Sequence, residues 1–221
     1  MDAPKAEVEA LNIVLVGSFN PTIYQPEWFA RMGLIRAEEA ENAKIDVVHP
    51  EIVSEVIGSI KIQVGSGRFT ASTLNAADYE VLRDLVVGTF RILPHTPIRL
   101  LGINSEEHVR MASEESWHAL GDRLAPKDLW ATILDKPGMV SLNMEGKRVD
   151  ERKGYVRVKV EPSRRIKNGF GVYTYINDHY EIPDYKPESG CVVVIDTLIE
   201  AWDHSRKQAR SIFDSIAGGL A

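Results

Sequence analysis

Residues Met139–Ile176 read MVSLNMEGKRVDERKGYVRVKVEPSRRIKNGFGVYTYI, and the pattern in this stretch is that of three strands pairing with one another. Val140, Leu142 and Met144 alternate with Ser141, Asn143 and Glu145, and Val156, Val158 and Val160 alternate with Arg157, Lys159 and Glu161. Side chains on a strand point to opposite faces in turn, so this period of two implies one dry face and one wet face. The third run, Phe170–Ile176, is aromatic and β-branched. It follows Lys167-Asn168-Gly169, whose Asn-Gly pair suits a tight reversal with positive φ. The stretch is therefore expected to be an antiparallel meander.

Working outward, a shorter version of the pattern precedes it. Ile60, Ile62 and Val64 alternate with Ser59, Lys61 and Gln63, then Gly65-Ser66-Gly67 leads into Arg68–Thr73, which predicts a hairpin. Asn12–Gly17, read as a strand buried on both faces, and Ile98–Asn104, which resembles it, are apolar runs with Gly17 and Gly102 marking comparable strand ends, each followed by helical spacing that carries Trp28 or Trp117. Asn75 caps a helix with Tyr79, Leu82, Leu85, Val86 and Phe90 on one face. Ser113 caps another that continues past Pro126 to Trp130 and Ile133, with a kink or break at the proline. Cys191–Ile195 reads as a further strand, followed by a helix with Leu198, Trp202, Ala209 and Phe213 on one side. The fold class expected is α+β: two related strand-helix-antiparallel meander-helix halves, about 10–95 and 96–218, within one compact unit spanning 1–221. The sheet should be mostly antiparallel with helices on one side, and Trp28, Leu82, Trp117, Trp130, Trp202 and Phe213 should lie in the core.

Composition bounds the function classes. The 221 residues are 44% hydrophobic and carry a formal net charge of −6, which suits a soluble chain better than one wrapped in nucleic acid. The charge is uneven: Glu145–Phe170 has nine Lys/Arg against four acids, +5, leaving 17 basic against 28 acidic elsewhere, −11. The one cysteine, Cys191, sits in an apolar run and reads as a packed core thiol. The acidic start and the lack of a long apolar run predict a cytoplasmic protein with no membrane association.

Candidate chemistry is sparse. Six histidines are spread so that no two fall within four residues, which removes a helical metal pair; neither metal nor cofactor is expected. Asn177-Asp178-His179-Tyr180 is the most polar histidine context, just beyond a strand end, where Asp178 could orient His179 as a general base, and Asn104–His108, with Glu107 and His108, is the matching segment after the second half's first strand. An enzyme reading needs these two pairs joined in one concave site. Arg148, Arg157, Lys159 and Arg165, with Tyr173 and Tyr175, compose a cationic and aromatic surface suited to a protein partner or to single-stranded RNA.

Gly17-Ser18-Phe19-Asn20-Pro21 resembles the opening of the phosphate-binding loop of nucleotidyltransferases that make dinucleotide cofactors, which would make Gly17, Ser18 and Asn20 nucleotide contacts. Ile23 and Pro26 stand where that signature places hydrogen-bonding residues, so the stretch reads as a strand-ending turn. Asn12–Pro21, Pro97–Asn104, Ile195-Asp196-Thr197 and the helix with Trp202, His204 and Ile212-Phe213 together resemble a sporadically distributed family of uncharacterised bacterial two-half α+β proteins. The resemblance implies that fold and no activity. The expectation is a non-enzymatic interaction protein, a homo-oligomer or a subunit of a larger bacterial assembly, with the +5 meander meeting acidic helices.

Overall fold

The apolar run Asn12–Gly17 is the end of a longer strand, Ala6–Gly17 (β1), which the computed structural model, describing residues 6–167 and 169–218, sets near the middle of a sheet. After β1 come α1 (Pro26–Arg31), α2 (Ala37–Glu41), β2 (Lys44–His49), β3 (Ile52–Ile57), β4 (Ile60–Gly65), β5 (Arg68–Thr73) and α3 (Tyr79–Ile92). The second part follows as β6 (Ile98–Arg110), α4 (Glu114–Leu124), β7 (Leu142–Lys147), β8 (Gly154–Pro162), β9 (Gly171–Glu181) and α5 (Val192–Gly218). All nine strands form one sheet in the order β2-β3-β4-β5-β1-β6-β9-β8-β7, and each neighbouring pair is antiparallel. The α+β class and the antiparallel sheet are thus as the alternation predicts.

Register carries the alternation from strand to strand. Leu11, Ile13 and Leu15 of β1 lie beside Thr73, Ala71 and Phe69 of β5 and beside Ser105, Ile103 and Leu101 of β6. Ile176, Asp178 and Tyr180 of β9 continue the same inward side, as do Val156, Val158 and Val160 of β8. The helices pack on this side alone: Leu82 and Phe90 of α3, Phe29 of α1 and Leu198 and Trp202 of α5 join the β1, β4 and β5 residues in one core. Leu120 of α4 packs with Val160 and Val172, while Ala209 and Phe213 of α5 close over Ile176. At 27 residues, α5 is about 40 Å long and spans the sheet. Trp202, fully buried with its Nε1 donating to Glu80 Oε1 at 2.9 Å, contributes roughly 1.5–3 kcal/mol by burial. Among the described residues no helix is long and apolar enough to cross a membrane.

Several local expectations are overturned. The first half holds a four-stranded run, β2–β5, in place of a hairpin, so the additional strand falls there and not in the second half. β3 escapes the pattern because Ser54 and Glu55, one on each face, are both buried. β1 is not buried on both sides, since Asn12, Val14 and Val16 are half-exposed. Gly17 and Gly102 are not equivalent strand ends: Gly17 closes β1 opposite Ile98, whereas Gly102 sits inside β6 opposite Val14. Cys191–Ile195 is no strand. Val192–Ile195 opens α5, where Val194 and Ile195 share the buried face with Leu198, and tertiary docking overrides the β-propensity of three valines and an isoleucine. The helix from Ser113 ends at Leu124, and Trp130, in a separate 3₁₀ turn, is 46% exposed rather than part of the core. Asn168 of the predicted Asn-Gly reversal lies outside the described residues; the β8–β9 loop is tied at its base by Ser163 N donating to Gly171 O at 2.9 Å.

Cys191 keeps the role predicted for it by a different route. It precedes the first turn of α5, a position that favours a thiolate, but burial wins and pushes the thiol up to about 11. Its Sγ sits 3.4 Å from the carbonyls of Phe90 and Leu93. The native protein at pH 8 is expected to react with a disulfide reagent at least about 100-fold more slowly than the urea-unfolded chain. Equal rates in the two states would contradict this.

Candidate interaction face of the sheet

The side of the sheet turned away from the helices is built by the other half of each strand's alternation. Asn12 of β1 lies opposite Ser72 of β5 and Asn104 of β6; Asn104 lies opposite Asn177 of β9, Asn177 opposite Arg157 of β8, and Arg157 opposite Glu145 of β7. A polar row therefore crosses six strands. Asn104 Nδ2 donates to Asn12 Oδ1 at 2.8 Å, while Asn104 Oδ1 is buried with no hydrogen-bond partner among the described residues. Gly102 leaves the room for this amide: a Cβ there would come within 3.2 Å of Asn104 Oδ1.

Aromatic rings flank the row. Below it His179 stacks on Tyr155 with centroids 4.5 Å apart, and Arg157 lies over Tyr155 at 5.0 Å. On the other side His108 stacks on Tyr173 at 4.7 Å, and Tyr173 lies 6.5 Å from Tyr175 in near-parallel orientation. The Tyr173 hydroxyl donates to Glu106 Oε2 at 3.0 Å, and His108 Nδ1 shares a 2.8 Å hydrogen bond with Ser163 Oγ. Burial lowers both His108 and His179 below the usual imidazole range, against the pull of Glu106 on the first and Glu181 on the second. Both rings are thus neutral at pH 7, and the phenols of Tyr173 and Tyr175 are pushed up by burial and Glu106, so they stay protonated.

Three of the cations on this face are paired, while Arg68 of β5 and Lys147 of β7 also point outward. Arg157 Nε meets Glu145 Oε2 at 3.0 Å, Lys159 Nζ meets Glu161 Oε1 at 2.7 Å, and Arg165 reaches Glu106 at 3.8 Å. Arg148, expected on the same surface, is turned inward and buried: its guanidinium lies 3.7 Å over the Tyr180 ring and pairs with Asp150 and Asp178. The +5 stretch is therefore no bare cationic surface.

The expected catalytic constellation does not assemble. Asp178 and His179 are neighbours within β9, not residues beyond its end, so they face opposite sides of the sheet; Glu107 and His108 do the same within β6. Asp178 and Glu107 share the inward face but sit four register positions apart, about 13 Å, and His108 and His179 share the outward face six positions apart, about 20 Å. Glu107 is held by Arg210, its Oε2 3.3 Å from Nη1, and burial pushes its carboxyl up to about 7 against that pairing. Arg210 also holds Glu9 at 3.1 Å, at the rim of an open cleft of about 350 Å³ beside α5.

The nucleotide-loop likeness also fails in three dimensions. Ser18 N donates to Pro97 O at 2.8 Å, Phe19 N to Ser66 O at 2.9 Å and Gly17 N to Gly67 O at 3.2 Å, so the amides that would cradle a phosphate are already bonded. Gly17 is needed for close packing, since a Cβ would meet Pro97 O at 2.1 Å. Asn20 caps a 3₁₀ turn through Thr22, and β1 runs in an antiparallel sheet. The sequence pattern did not single out the Asn12–Asn104–Asn177 row. Asparagine is depleted in strands, so two of them inside the apolar runs of β1 and β6 were the available signal. The chain matches no protein-family model and no curated protein.

Proposed function

We propose that this chain is a protein-interaction module that holds a protein partner on the helix-free face of its sheet, without catalysing a reaction, as a subunit of a cytoplasmic assembly. The observation that carries this reading is the composition of that face: Tyr155, Tyr173, Tyr175, two neutral histidines and a row of asparagines, with Arg157, Lys159 and Arg165 already held by carboxylates. Tyrosine and asparagine offer area and hydrogen bonds at low entropic cost, and paired charge is cheap to bury against a partner. Base stacking on the same rings would suit single-stranded RNA, but with Arg148 buried and Arg157, Lys159 and Arg165 paired, few counterions would be released on binding. The two halves are taken as related by duplication. In support, β1 and β6 lie side by side, each bordered by the last strand of the run that follows it, β5 or β9, and each half closes with a helix, α3 or α5.

A photo-crosslinking residue at Tyr175 is expected to trap one discrete protein in native extract, a product lost when Tyr173→Ala is added. The same residue at Val193, exposed on α5, should trap nothing comparable. Equal trapping from both positions, or retardation of an oligouridine probe at low salt, would refute the reading.

A further inference from the structure

The connection between α4 and β7 presents a knob and a hole that fit each other but not within one molecule. Leu129, Trp130, Ile133 and Leu134 stand on a short helical turn, held by Ala131 N donating to Lys127 O and Leu134 N to Trp130 O, both at 2.8 Å. They are 69%, 46%, 67% and 54% exposed, and four large apolar side chains at those values make a patch on the order of the few hundred Å² that marks a contact site. A few residues on, a cavity of about 160 Å³ opens between Trp117, Gly121, Pro137, Met139, Val160 and Val172. An apolar cavity of roughly 150 Å³ takes one benzene-sized group, which is the scale of a Trp ring or a Leu side chain.

The chain's own knob stays out of the hole. Lys136-Pro137-Gly138 separates the two, and Lys136 adopts φ 48°, a left-handed conformation that a lysine takes only where the backbone is directed firmly. We infer that the knob of one molecule fills the hole of a second copy across a two-fold axis, making this connection the contact surface of a homodimer. Charge fits this arrangement: Asp128 and Asp135 flank the knob, while Lys127 and Lys136 rim the hole beside Glu161, whose carboxylate Lys159 holds at 2.7 Å, so the two-fold brings the aspartates to the lysine side of the rim. Lys127 also pairs with Asp122 at 2.5 Å, which leaves Lys136 as the main cation of the rim. Val140, just before the edge strand β7, and Met144 within it are also exposed and add apolar surface in the segment that follows the hole's Met139. This surface is separate from the outward sheet face and does not depend on the reading given to it.

Sedimentation or light scattering of the purified full chain across the micromolar range is expected to give about twice 24.7 kDa. Ile133→Asp with Leu134→Asp, at exposed positions, should weaken association at least about 100-fold. Gly121→Leu should do the same by filling the hole from inside, since a Cβ at Gly121 meets nothing within 4 Å. Tyr175→Ala should leave the dimer intact. A monomer at the highest concentration, an open series of higher masses, a dimer indifferent to both knob and hole variants, or a dimer dissolved by Tyr175→Ala would each overturn the inference.

Discussion

Glu55→Leu is expected to stabilise the protein by about 3–5 kcal/mol at pH 8.5 and by little at pH 5. Glu55 points inward from β3 between Ile45 and Ile62, is fully buried, and neither carboxyl oxygen has a hydrogen-bond partner among the described residues. Burial, with a smaller push from Glu27, raises its carboxyl to about 8 from 4.5. The folded state therefore holds the proton more tightly than the unfolded state. Stability is greatest below about pH 4.5 and falls as pH rises toward 8, by up to about 5 kcal/mol from this group. Glu107, raised to about 7, acts in the same direction over a shorter window. Urea denaturation at a series of pH values checks this: the wild-type midpoint should drop from pH 5 to 8.5 relative to the variant. Parallel pH curves for the two proteins would contradict the assignment.

Arg148→Met should cost about 3–5 kcal/mol, among the largest single-residue losses in the molecule. The Arg148 and Asp178 side chains are 1% and 3% exposed, and Arg148 Nε and Nη2 reach the two Asp150 oxygens at 2.7 and 2.6 Å. Removing the guanidinium strands the Asp178 carboxylate in the interior with only the Tyr180 hydroxyl, at 2.7 Å, to hold it. The β7–β8 loop would lose its anchor to β9 as well. Asp178→Leu added to Arg148→Met removes the stranded charge and should recover at least about half of the loss. Denaturant midpoints at constant m give the comparison; a single variant within about 1 kcal/mol of wild type would show the cluster to be dispensable.

What the sequence disclosed depended on whether each strand's polarity alternated as its burial did. In β8 and β9 it did: Val156, Val158 and Val160 face the helices, and Tyr173 and Tyr175 point outward, as the spacing implies. In β3 it did not, because Glu55 is an inward carboxylate and Ser54 is buried on the opposite face. Val192–Ile195 had strand propensity but became helix because only a helix carries Val194, Ile195, Leu198 and Trp202 to one face. The candidate site was harder still. Asp178 and His179 look like a pair until β9 is known to continue to Glu181, at which point parity separates them. The asparagine row depends on registers between β1, β6 and β9, residues up to 165 positions apart, that no local pattern encodes.

We propose that this protein meets its partner on the helix-free face. Hydroxyl-radical footprinting of the isolated chain against the chain in its native extract tests it directly. Tyr155, Tyr173 and Tyr175 should lose labelling in the extract, while Tyr185, in the loop before α5, keeps it. Unchanged labelling of the three outward tyrosines, with protection appearing instead on the outer residues of α3 or α5, would contradict it.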